Sequence, residues 1–108
     1  MPESQNVKIV VFVPLMHTHA VREAIGKAGG GKIGNYSFCS FSVKGTGRFR
    51  PEAGANPAIG KVGELEEVEE ERIEFVCDKK LVPKVIEAIK KAHPYEEVAM
   101  YVHPLLEM

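Results

Sequence analysis

Three groups of residues in this sequence have types and spacings able to do chemistry. The first is a scattered set of metal-ligand types, His17, Cys39, His93 and Glu96. Imidazoles, thiolates and carboxylates are ordinary protein ligands of divalent cations. No complete ligand spacing such as C-x-x-C or H-E-x-x-H is present, so a divalent metal site requires the fold to gather these four. His19 forms an H-x-H with His17, but it reads more simply as an exposed helix residue. The second group is the pentapeptide His93-Pro94-Tyr95-Glu96-Glu97. Pro94 stops a helix and pushes His93 out of the α region, which makes a rigid corner carrying an imidazole, a phenol and two carboxylates. That corner is either a turn whose side chains bond backbone groups or a ligand-facing site built on His93, Tyr95 and Glu96.

The third group is Gly45-Thr46-Gly47-Arg48-Phe49-Arg50-Pro51. Glycines let backbone N–H groups approach an oxyanion, and Arg48 and Arg50 can fork a phosphate or carboxylate. Asn35 and Tyr36, just after Gly34, would complete such a pocket. The segment lacks the G-x-x-x-x-G-K-[ST] spacing of a P-loop. The competing reading is a bulged strand whose arginines pair with an acidic neighbour. No nucleophile–base pair can be assembled from the spacing, so an enzyme acting on a phosphate or nucleotide is the weakest reading.

The elements that must position these groups are legible from pattern. Val7 to Val13 is apolar and β-branched, as in a central strand with both faces buried, and Pro14 ends it. Val21, Ala24, Ile25 and Ala28 recur at helical steps, with Thr18 as the expected N-cap and Gly29 as the left-handed terminator. Tyr36 to Val43 reads as a second strand, followed by a tight turn or bulge at Gly45–Gly47, beyond which Arg48, Phe49 and Arg50 can continue the strand. Pro51 to Gly63 is aperiodic and reads as a structured loop. Leu65 to Cys77 is a long acidic strand with Ile73, Phe75 and Cys77 on one face and Arg72 and Glu74 on the other. Its dense glutamates read as solvated positions rather than metal ligands. Leu81, Val85, Ile86 and Ile89 mark a second helix, which Pro83 places as starting near Lys80. Val98 to Val102 is the last strand.

The order strand, helix, strand, strand, helix, strand predicts one α+β domain over residues 1–108, a ferredoxin-like βαββαβ arrangement with both helices on one face of a four-stranded antiparallel sheet. The other face needs cover if it carries Phe12, Phe38 or Phe75, and self-association is the cheapest remedy.

Composition bounds the function classes. The 108 residues are 44% hydrophobic and 27% charged, with a net charge of −1. That is a globular chain with no global field drawing it to nucleic acid or membrane. An RNA-recognition module shares this topology, but the long strand is acidic here, which argues against it. No apolar run approaches the ~20 residues that span a bilayer. Cys39 and Cys77 fall in expected strands and read as buried free thiols, and with no export signal the expected location is the cytoplasm.

Nine of the ten glycines lie between Gly29 and Gly63. Read jointly, VFVP, VREAIGKAGGGKIGNYSFCSF, GTGRFRPEAGANPAIGKVGELEEVEEERIE and AHPYEEVA resemble the CutA-like domain inserted in proteins of the Nif-three-like (YqfO) family, which also occurs as a stand-alone protein. The resemblance covers Val7 to Val102. It implies a fold similar to CutA and PII signalling proteins, which are trimers with ligand clefts between subunits. It also implies that the family's dinuclear metal site lies in separate domains, so hydrolase or cyclohydrolase labels are not transferred to these 108 residues. One departure stands out: relatives read HPYEExAYD, whereas this chain has Tyr101 in place of the acid.

The expectation is therefore a non-catalytic, cytoplasmic, oligomeric binding or regulatory module, a trimer ahead of a dimer. Its partner would be a small anionic ligand or a protein, held at subunit clefts by Asn35, Tyr36, Arg48, Arg50, His93, Tyr95 and Glu96. The alternative is a divalent metal-binding protein using His17, Cys39, His93 and Glu96.

Overall fold

Alternation along one strand organises the molecule. In β1 (Glu3–Pro14) the side chains of Val7, Ile9, Val11 and Val13 all point to one face and are almost fully buried. They meet Ile73, Phe75 and Cys77 of β3 (Glu66–Asp78), their register partners on the same face. Two helices cover that face. Helix α1 (Thr18–Lys27) brings Val21 and Ile25, and α2 (Val82–Ala92) brings Val85 and Ile89. Each such side chain contributes about 1.5–3 kcal/mol on burial. The ion pair of Arg22 with Glu71, at 3.0 Å, ties α1 to β3 at the core's edge.

The computed structural model describes all 108 residues, Met1 to Met108. With β2 (Phe41–Phe49) and β4 (Met100–Leu106), the sheet order is β2-β3-β1-β4, and every neighbouring pair is antiparallel. This is the ferredoxin-like βαββαβ arrangement with both helices on one face.

Several local expectations are corrected. The second strand starts at Phe41 rather than Tyr36, because Gly31 is stitched to Val76 O and Cys39 N to Gly31 O, which pulls residues 31–39 into a crossing loop. Cys39 therefore lies in that loop, partly exposed, while Cys77 is buried in β3 as expected. No turn or bulge interrupts Gly45–Gly47; β2 runs through in regular register with Glu66–Glu74. Thr18 does not cap α1 with its side chain. A 3₁₀ turn at Leu15–His17 leads into the helix, and the Thr18 hydroxyl donates to Leu15 O at 3.1 Å. Gly29 does terminate α1, at φ +98°. A second 3₁₀ turn, Lys79–Leu81, enters α2 with Pro83 in its first turn, where its missing N–H costs nothing. The last strand runs from Met100 to Leu106, later and longer than read from sequence.

The face away from the helices carries Phe12 and Val10 of β1, Phe41 and Val43 of β2 and Tyr101 of β4. Phe75 is not on it, lying instead in the core. Phe38 is not on it either: its ring packs against Gly26 of α1, where a Cβ would collide with it. Phe41 and Tyr101 are more than half exposed on this open face. Charge dilutes it, since Glu74 is held by both Lys8 and Arg72.

A candidate ligand-binding cleft

The cleft is assembled from three segments far apart in sequence. The C-terminal end of β2 and the loop after it form one wall, the corner after α2 forms the other, and the open faces of β1 and β3 form the floor. The cavity measures about 490 Å³. That is within the usual size range of small-molecule sites.

The corner is fixed by His93. Its Nδ1 accepts from the Tyr95 backbone N–H at 3.1 Å, and its Nε2 lies 2.7 Å from Phe12 O. A carbonyl only accepts, so Nε2 carries the proton and the ring is neutral. Burial pulls its pKa below the usual histidine value, the nearby His17 adds to this, and the bond to Phe12 opposes it. The corner is thereby pinned to the central strand, and Phe12 N–H donates in turn to Ala99 O at 3.2 Å.

Tyr95 projects from this corner into the cleft. Its ring meets Phe49 edge-on, with centroids 5.6 Å apart. Its hydroxyl is buried and has no hydrogen-bond partner. It faces the carboxylate of Glu70 without the geometry of a formed bond. Burial, then the charge of Glu70, pushes the Tyr95 phenol up to about 12. Glu70 is itself only 8% exposed, and burial raises its pKa, with the facing phenol as a partial offset. The space for its carboxylate is made by Gly47, where a Cβ would run into that carboxylate.

The two arginines are already paired. Arg48 meets Glu67 at 2.7 Å, and Arg50 meets Glu52 at 2.7 Å. The acidic strand thus engages Arg48 as the competing strand reading had it, whereas Arg50 turns to its own loop. Glu96 accepts from the Asn56 backbone N–H at 2.8 Å, which laces the loop to the corner across the cleft mouth.

Of the residues nominated from sequence, Arg48, Arg50, Tyr95 and Glu96 line this one cleft, with His93 beneath as its support. Asn35 and Tyr36 do not join them; they sit exposed in the crossing loop, closed by an Ile33–Tyr36 bridge. His17 lies in the 3₁₀ turn near His93, and Cys39 borders a separate groove beside Phe38 and α1. No three His, Cys, Asp or Glu side chains in the chain converge to hold a metal ion, so the four nominated ligands are not gathered into one set. Glu70 and Phe12 were missed. The available signal was strand alternation, which puts Glu70 on the same face as Arg72 and Glu74, opposite the paired glycines of β2.

Comparison with known proteins agrees with this architecture. No family model matches the chain. A CutA protein from Archaeoglobus fulgidus superposes with a TM-score of 0.69 over 95% of this chain and 86% of its own, at 14% identity, a likeness of fold alone. The fold is thus that of a CutA-like domain. A Bacillus cereus protein related to NIF3 matches at 52% identity and a TM-score of 0.81, covering 96% of this chain and 26% of that one. GTP cyclohydrolase 1 type 2 homologs from Halalkalibacterium halodurans and Bacillus subtilis are 57% and 51% identical over 98 residues, 91% of this chain. The chain carries the CutA-like domain of the Nif-three-like family, and it spans about a quarter (26%) of the length of these relatives.

Proposed function

We propose that this chain is a non-catalytic binding or regulatory module whose cleft takes a small ligand, and whose open sheet face joins copies into a homo-oligomer, a trimer ahead of a dimer. The observation that carries the ligand reading is the cleft floor. The Tyr95 hydroxyl is buried there without a bonded partner, facing a Glu70 carboxylate that is only 8% exposed and has no cation against it. Buried polar groups ordinarily have partners, and an exception at the floor of a cavity is what a ligand would relieve. The half-exposed Phe41 and Tyr101 support association through the open face.

The name of the relatives, GTP cyclohydrolase 1 type 2 homolog, belongs to proteins about three and a half times this length. A divalent-cation reading, which the name of the Archaeoglobus protein invites, has less support, because both nitrogens of His93 are occupied by backbone partners. Cytoplasmic action is part of the proposal; both cysteines are free thiols, and no helix is long and apolar enough to cross a membrane.

The test is a thermal-shift screen of small polar compounds, followed by amide-resolved NMR on any hit. A ligand raises the melting temperature as RT ln(1 + [L]/Kd) and moves the amides of Gly47, Phe49 and Tyr95. A screen in which no compound moves those amides defeats the ligand reading. Light scattering that reports a monomer at all concentrations defeats the oligomer.

A further inference from the structure

We propose that the cleft selects a primary amine on a short apolar body, with the ammonium seated between the Glu70 carboxylate and the Tyr95 hydroxyl. This deepens the cleft reading above and rests on it.

The argument begins with charge. Six ionisable side chains other than Tyr95 face the cavity: Glu52, Glu70, Glu96 and Glu97 against Arg48 and Arg50. Both arginines are committed, Arg50 to Glu52 and Arg48 to Glu67 at the rim. Glu96 is committed to the Asn56 N–H. Glu70 has no cation against it and is nine-tenths buried at the floor. A carboxylate or phosphate seated at the floor would set a further negative charge directly against Glu70, which has no cation paired with it. A cation supplies what is lacking.

Hydrogen bonding narrows the cation. An ammonium has three donors and no acceptor, whereas Glu70 and the Tyr95 oxygen can both accept. One N–H to each engages the two floor groups together, with the Tyr95 O–H left to donate to the facing Glu70 carboxylate. A divalent metal would find only this one carboxylate and one phenol, with no third acidic or imidazole ligand converging. The walls specify the remainder of the molecule. Phe12, Phe49, Pro51, Pro57 and Ile59 present apolar surface. Glycine at position 47 fits this design, because any larger residue there would evict the Glu70 carboxylate.

The test titrates the full chain with 2-phenylethylamine, with the near-isosteric neutral 2-phenylethanol, and with phenylacetate, following Gly47, Phe49, Tyr95 and Glu96 amides. The expected result is that the amine binds at least tenfold more tightly than the alcohol and that phenylacetate binds most weakly. Glu70→Gln is expected to remove the amine's advantage while leaving the alcohol unchanged. Gly47→Ala, which displaces the carboxylate without deleting it, is also expected to remove the amine's advantage over the alcohol and covers the case in which the first variant folds poorly. Equal or tighter binding of the alcohol or acid at these amides overturns the amine class and leaves the cleft reading standing. Retention of the amine's advantage in both variants overturns the role of Glu70. Absence of any shift with all three compounds overturns the amine proposal, while the cleft reading stands or falls on the broader screen above.

Discussion

The Tyr95 amide donates to His93 Nδ1 at 3.1 Å, and the opposite ring nitrogen of the same histidine reaches Phe12 O at 2.7 Å. One neutral imidazole thus clamps the start of the pentapeptide corner to the central strand. The residue that read from sequence as a ligand or metal contact is instead the support that aims Tyr95. Replacing it with alanine leaves a carbonyl and an N–H unpaired in a buried place. His93→Ala is expected to lower stability by about 2–4 kcal/mol, measured by urea denaturation, because each abandoned group costs about 1–3 kcal/mol before any loss of packing.

Acid should loosen the same clamp. Burial depresses the His93 pKa below its usual value of about 6.5, so the unfolded chain takes up a proton before the folded one does. The contribution of His93 is therefore full above about pH 6.5 and is lost as pH falls from there through the folded value. Glu70 works in the other direction: its pKa is raised, so folding gains from its protonation as pH falls. Urea midpoints at pH 8, 6.5 and 5.5 should decline for the native chain, and His93→Gln should flatten that decline. A pH profile of the same slope in the native chain and in His93→Gln would contradict the neutral clamp, since Glu70 contributes equally to both.

Glu70 itself should be a burden at neutral pH. Ionising it inside the fold costs more than in the unfolded chain, which is what a raised pKa means. Glu70→Gln is expected to raise the thermal midpoint at pH 7.5 and to change it little at pH 3, where the carboxyl is protonated in both the folded and unfolded chain. A lower midpoint at pH 7.5 would show that the carboxylate has a stabilising partner after all.

Two glycine substitutions separate backbone need from side-chain room. Gly31 holds φ +77°, and a Cβ there would strike the backbone of Cys39, which cannot yield. Gly31→Ala should cost about 2 kcal/mol or more. At Gly47 the obstacle is only the end of the flexible Glu70 side chain. Gly47→Ala should therefore cost less than about 1 kcal/mol while reshaping the cleft floor. Equal losses in the two variants would refute this distinction.

The thiols should differ in reactivity. Cys77 is 2% exposed, and burial with the neighbouring Asp78 raises its pKa, whereas Cys39 is partly open in the crossing loop. Only the thiolate reacts. One thiol equivalent per chain is expected to react promptly with an aromatic disulfide reagent, with the second appearing only on unfolding. Mass mapping of the first adduct to Cys77 would count against the burial described for β3.

The fold was legible because it depends on periodicity. The β-branched run of β1, the alternation of Ile73, Phe75 and Cys77, and the helical spacing of Val21 with Ile25 each respond to a single physical requirement, burial of one face. The segment from Gly31 to Ser40 was not legible, because its path is set by long-range bonds from Gly31 to Val76 and Cys39 rather than by local preference. Gly45 and Gly47 misled for a related reason. Glycine pairs mark turns on average, but here Gly47 makes room for a side chain on the adjacent strand. The cleft was half legible: arginine, tyrosine and glutamate advertised themselves by type, while Glu70 was one glutamate among many until the pairing register set it opposite Gly45.

The lacing of Glu96 to Asn56 spans 40 positions of the chain. Such a contact is non-local, and it can form only after the corner following α2 has been placed. A nascent polypeptide emerging residue by residue can settle β1, α1 and the β2–β3 pair, yet it possesses no binding cavity until the segment after α2 has docked on the central strand. The cavity, and with it the binding proposed for it, therefore arrives as one of the last events of maturation, and it should be the first feature surrendered when the polypeptide is clipped near its final strand.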